Sequence, residues 1–152
     1  MKLLIALLIP LAVGFTGSYF TTPEIQGWYS TLNKPWFQPP NWLFGPVWTS
    51  LYILMGIAMY LIWKQSDSTP GKKGALYIYA VQLVFNFFWS MIFFRFHALG
   101  FSMGWIVVLW LLILLTIFRF GKISSTAAWL LVPYISWVSF ASILNFTIWQ
   151  LN

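Results

Sequence analysis

At 152 residues the chain is long enough for one domain. Hydrophobic residues make up 61% of it and charged residues 7%, with 8 Lys+Arg and 2 Asp+Glu for a net charge of +6. So few charges cannot clothe a water-facing surface, which argues against both a soluble globular domain and a disordered chain. There is no cysteine, so disulfides, thiolate nucleophiles and zinc clusters drop out together.

Five apolar segments follow in order, at residues 3–20, 44–63, 75–94, 99–118 and 127–149. Each approaches or reaches the roughly 20 residues that a bilayer-spanning helix needs. Barrel strands of about 9–11 alternating residues do not fit such continuous runs. The fold class expected is an all-α membrane protein, a single five-helix transmembrane domain over residues 1–152. The first segment follows Lys2 like a signal peptide, but it runs on to Phe20 without a small-residue cleavage site and reads as a retained helix.

The connector at 21–43 is the one long link. Its prolines and its dense aromatics, Trp28, Tyr29, Trp36, Phe37 and Trp42, describe an ordered cap over one end of the bundle. A helical turn is expected at Thr31–Lys34, ended by Pro35. In the second segment Trp48, Tyr52, Met55 and Met59 share one helical face, and in the third Gln82, Asn86, Trp89 and Phe93 do the same. In the fifth, Pro133, Trp137, Ala141, Asn145 and Trp149 lie four apart, with Pro133 bending the helix near its start. The amides of Gln82, Asn86 and Asn145 must bond to another helix or to a ligand, because lipid offers no partner. For Gln82 and Asn145 the helix contact is favoured; for Asn86 the two readings stand level. Gly100–Gly104 and Gly14–Ser18 carry small-xxx-small spacing and read as close helix approaches, within the bundle or between copies. Trp63 and Trp149 read as interfacial anchors.

Lys2, Lys64, Lys72, Lys73, Arg119 and Lys122 fall at the N-terminal end, against Lys34 and Arg95 at the other. This bias puts the N-terminus in the cytoplasm. The positive charge is therefore an insertion signal, and no nucleic-acid partner is expected. Glu24 and Asp67 fall at opposite ends of the bundle, so no carboxylate pair is available for acid–base work. His97 is the only histidine and has no second metal ligand beside it, so no metal site is expected. If the aromatic faces of the second and fifth helices turn inward, they line a cavity for a flat apolar molecule.

Taken together, Trp28-Tyr29, Leu32-Asn33-Lys34-Pro35-Trp36 and Pro39-Pro40 in the connector form a distinctive signature. It continues in Gly45-Pro46-Val47-Trp48, Gln82…Asn86…Trp89 and Pro133-Tyr134…Trp137…Ala141…Asn145…Trp149. In these strings the chain resembles the TspO/translocator protein family, also called tryptophan-rich sensory proteins or peripheral-type benzodiazepine receptors. The resemblance covers essentially the whole chain. It implies a five-helix bundle, usually a homodimer, with a cavity closed by the first connector. It implies porphyrin as a ligand, with no bound cofactor, and benzodiazepine-site drugs as synthetic ligands. Carried onto this chain, the ligand-binding residues are Tyr29, Pro39, Trp48, Tyr52, Asn86, Trp89, Trp137 and Ala141, with Lys34 a candidate for the porphyrin propionates. Some relatives are described as degrading porphyrin in light, which would make Trp48 and Trp137 catalytic. A transporter is a further alternative, ranked lower because no inverted repeat is present. Animal members end the fifth helix with a cholesterol motif of Tyr followed by Arg; here Phe146 and Gln150 stand there, so cholesterol is not expected as a partner. This departure favours a bacterial cell membrane.

Overall fold

A computed structural model describes residues 1–152. It contains no strand, and five helical spans are long and apolar enough to cross a membrane. The protein is an all-α membrane protein. The helices are α1 (Lys2–Gln26), α2 (Asn41–Trp63), α3 (Lys72–Ser90), α4 (Leu99–Gly121), α5 (Ser125–Leu130) and α6 (Val132–Leu151). A 3-10 turn at Tyr29–Thr31 sits in the first connector, and a π-helical turn at Met91–Arg95 extends α3.

Several sequence expectations shift at their edges. Helix α1 continues to Gln26 rather than stopping at Phe20, and it carries Pro10 and Pro23 within it. A membrane helix tolerates proline where its surroundings satisfy the freed carbonyl. The connector is correspondingly shorter. Its helical turn lies at Tyr29–Thr31, ahead of the expected Thr31–Lys34, because Ser30 and Thr31 turn their hydroxyls back onto the carbonyls of Gly27 and Trp28 at 2.6 Å. Leu32 is already extended. The fifth segment is two helices. Pro133 falls in the first turn of α6, where its missing N–H costs nothing, and the chain breaks at Leu131.

Helices α1, α2, α5 with α6, α4 and α3 form a closed ring, each packed against the next. Inside the ring, Tyr79, Tyr134, Met55, Ile106, Leu109, Ile113 and Phe120 are almost wholly buried. The outward faces carry large apolar side chains such as Leu4, Leu8, Phe15, Phe101, Leu111 and Phe118, as a lipid-facing surface requires. On α1 the inward face is made of small residues, Ala6, Pro10, Gly17 and Thr21, so the helix lies close to its neighbours. The tightest point is Gly56 on α2. A Cβ there would meet the Ala6 carbonyl oxygen at 2.8 Å and the Leu7 Cα at 2.9 Å. Gly14 packs directly against the Tyr52 ring, and a Cβ added at Gly100 would meet Trp149 at 3.1 Å, so both glycines serve contacts within the bundle.

The two ends are finished differently. At the N-terminal end, the buried Lys72 donates to the Gln65 carbonyl at 2.7 Å and to Asp67 at 2.9 Å. That hydrogen bond and charge hold the Asp67 carboxyl below its ordinary range. Gly71, at φ 81°, makes the left-handed turn into α3. At the opposite end Glu24 receives Arg95 at 3.2 Å and His97 at 3.0 Å, while the Trp28 ring stacks on His97 at 4.0 Å. Trp36 and Trp42 project outward, 95% and 72% exposed, and so do not pack down with the cap; they fit membrane-surface anchors.

Replacing Gly56 by Ala should therefore destabilise the bundle by about 1–3 kcal/mol, because the nearest neighbours are backbone atoms that cannot give way. Gly104→Ala, whose Cβ meets open space, should leave stability unchanged or slightly raised. Thermal unfolding of the two variants in the same detergent checks the contrast.

Candidate functional site

Helices α2 and α6 hardly touch, because a cavity of about 840 Å³ separates them at the connector end. Its walls come from α1, α2, α3, the π-helical turn and α6; α4 contributes nothing. No charged side chain lines it. The volume lies within the range of small-molecule and cofactor sites.

The aromatic wall is built from helical spacing. Trp48 stacks on Tyr52 one turn later at 5.7 Å, and Trp137 lies 5.4 Å from Phe140. Phe44 meets the Trp137 ring edge-on at 6.3 Å. The π-helical turn swings Phe93 and Phe94 under Tyr29, at 6.1 and 5.4 Å. A wider turn of this kind redirects side chains that an α-helix would send elsewhere.

The floor is polar but closed upon itself. The Tyr52 hydroxyl donates to Asn86 Oδ1 at 2.9 Å, Asn86 Nδ2 donates to the Tyr134 hydroxyl at 2.8 Å, and Tyr134 donates to Gln82 Oε1 at 2.7 Å. Beside it, Trp89 Nε1 donates to Asn145 Oδ1 at 3.1 Å, and Asn145 Nδ2 donates to the Leu99 carbonyl at 3.2 Å. Ser102 reaches the same Asn145 oxygen at 3.1 Å. All three amides thus bind helix to helix. Asn86, for which a ligand contact stood level with this role, spends its amide on Tyr52 and Tyr134 while one side of it faces the cavity. Trp137 differs: its ring lines the cavity, while its Nε1 is buried out of contact with the open space and has no acceptor.

Of the residues expected at a site, Tyr29, Trp48, Tyr52, Asn86, Trp89, Trp137 and Ala141 all line this one cavity. Pro39 does not. It is buried within the connector, where the Gln38 side chain caps its carbonyl at 2.8 Å. Lys34 does not reach the cavity either. Its ammonium donates to the carbonyls of Tyr29 and Leu32 at 2.9 and 3.2 Å and lies over the Tyr29 ring, so it secures the 3-10 turn. Sequence reasoning missed the contribution of α1. Gly14, Gly17, Ser18 and Thr21 line the cavity, together with Gln26 and, from α2, Asn41. The signal was present as a stripe of small residues along one face of α1, read only as a packing motif.

The connector lies across the end of this space and is fastened at two points, near its start and at its middle. Asn33 and Asn152 exchange two hydrogen bonds, at 3.0 and 2.9 Å, and Asn33 also donates to the Leu151 carbonyl at 3.3 Å. The other fastening is the Trp28–His97–Glu24 group described above.

The arrangement defines a multi-pass membrane protein with a capped aromatic cavity. The chain matches the model of the TspO/MBR family over residues 6–150 and belongs to that family. It is 47% identical over 146 residues to the tryptophan-rich protein TspO of Chlorobaculum tepidum, covering 93% of this chain and 90% of the relative. It is 42% identical over 152 residues to the tryptophan-rich protein TspO of Archaeoglobus fulgidus, covering 100% and 97%. Similarity extends to the human translocator protein, 38% identical over 143 residues, covering 91% and 82%.

Asn145→Ala should leave the Trp89 N–H without an acceptor and cost about 1–3 kcal/mol. The expected readouts are a lowered unfolding midpoint and a changed Trp89 emission. Asn145→Asp should retain the acceptor and recover part of the loss.

Proposed function

We propose that this protein is a membrane receptor or sensor that takes a porphyrin-type tetrapyrrole into the cavity. The observation that carries the reading is the cavity's polarity pattern. The interior is aromatic and uncharged, while at the connector end Gln26 and Asn41 stand exposed on its rim. A flat apolar macrocycle gains by burial and by stacking on Trp48, Phe93 and Trp137. Its carboxylates remain at the rim, where amide N–H donors are available and desolvation is incomplete. Membership of a family whose relatives are named tryptophan-rich sensory protein and translocator protein supports the same reading. The excess of Lys and Arg at the N-terminal end supports a cytoplasmic N-terminus, and the family resemblance supports a homodimer.

The test is a titration of the full chain in lipid nanodiscs with protoporphyrin IX in the dark, followed by tryptophan quenching. Saturable quenching is expected. Trp137→Ala removes a stacking ring and should weaken binding by about tenfold or less, the worth of one aromatic contact. Gln26→Leu with Asn41→Leu should weaken binding of the diacid but not of its dimethyl ester. Quenching that does not saturate would overturn the proposal. Loss of the porphyrin spectrum only on illumination, and only with Trp48 and Trp137 intact, would favour a photochemical enzyme instead.

A further inference from the structure

Every exposed residue on the cavity wall belongs to α1 or α2. On α1 these are Phe15, Ser18, Thr22 and Gln26; on α2 they are Asn41, Trp42, Gly45 and Thr49. The lining residues from α3, the π-helical turn and α6 are all buried or half-buried. The mouth is therefore a slot between two helices, not a hole through the cap. From Gln26 to Phe15 it extends about 17 Å along α1, at about 1.5 Å per residue, or roughly half the thickness of a hydrocarbon core.

The geometry of α1 explains the slot. Near its start α1 lies tight on α2, at Gly56 and again where Gly14 meets Tyr52. Near its end it is held instead to the turn after α3, through Glu24 with Arg95 and His97. The helix crosses from one neighbour to another, and the wedge left beside α2 is the slot. The cap meanwhile is fastened at Asn33–Asn152 and at Trp28–His97.

From these two independent observations, an open side and a fastened top, we infer that the cavity is loaded sideways from the bilayer. Its occupant is a planar amphiphile already dissolved in the leaflet on the connector side. The hydroxyls of Ser18, Thr22 and Thr49 edge the slot, already satisfied among themselves or by the Gly45 carbonyl, so the path is mildly polar without being charged. A molecule lying at headgroup depth, polar edge outward, slides in without crossing water. This inference rests on the reading of the cavity as a ligand site, but not on the ligand being a porphyrin.

The chain has no cysteine, so one reporter suffices. Ala141→Cys places a thiol on the inner wall, in full-length protein in nanodiscs. The probes are N-phenylmaleimide, which partitions into lipid, and a sulfonated maleimide, which does not. Gly45→Trp is the plug, because a side chain at Gly45 meets only open space. Gly104→Trp, also open but on the far lipid face, is the control. The expected result is labelling by the apolar reagent that the plug slows by about tenfold and the control leaves alone, in keeping with rates limited by access. Thr49→Phe, a second plug, should act in the same direction. Asn33→Ala with Asn152→Ala and Trp28→Ala, which together undo both fastenings and free the cap, should not change the rate. The inference is overturned if folded, monodisperse plugged protein labels at the parent rate, if freeing the cap speeds labelling, or if the sulfonated reagent labels as fast. Protection of the thiol by protoporphyrin IX is scored separately. Plug-sensitive labelling without protection would refute the porphyrin reading and leave lateral loading standing.

Discussion

The chain of hydrogen bonds from Tyr52 through Asn86 and Tyr134 to Gln82 is the constraint on which the rest depends. In lipid there is no hydrophobic force to draw helices together, so their mutual placement comes from close packing and from polar groups with nowhere else to go. This chain ties α2, α3 and α6 at one level. It keeps α2 and α6 from closing on each other, and the space it holds open is the cavity. The Asn145 cluster does the same between α3, α4 and α6. Cavity and scaffold are therefore one construction, in which the floor of the site is also the brace of the bundle.

The absence of charged groups from the wall decides what the site can do. With no Asp, Glu, Lys, Arg or His facing the interior, binding draws on burial, ring stacking and a few neutral donors. Such a site selects by shape and flatness more than by charge. It also offers no carboxylate, amine or imidazole to a ligand.

Much of this was legible in the sequence. The five spans follow from apolar run length, and the inward faces of α2 and α3 follow from the three- and four-residue spacing of Trp48, Tyr52 and Met55, and of Gln82, Asn86 and Trp89. Helix ends were less legible. Nothing in the Thr21–Gln26 stretch breaks a helix except Pro23, and a membrane helix absorbs that residue. The role of Lys34 was hidden because a lone cation near a site reads as a ligand partner, whereas here two backbone carbonyls claim it. The part played by α1 was hidden for another reason. Residues such as Gly14 and Gly17 line a cavity by what they lack, and a missing side chain leaves no chemical signature.

Helix α1 is pinned by glycine contacts near one end and by a carboxylate tie at the other, a packed hinge and an ionic latch that sit in different media. The hinge at Gly56 lies at the N-terminal end of the bundle, where neither salt nor water has purchase on a van der Waals contact. The latch at Glu24 involves partly exposed partners whose attraction solvent ions screen within about 10 Å. One fastening of α1 is therefore indifferent to dissolved ions, whereas the other weakens as salt rises.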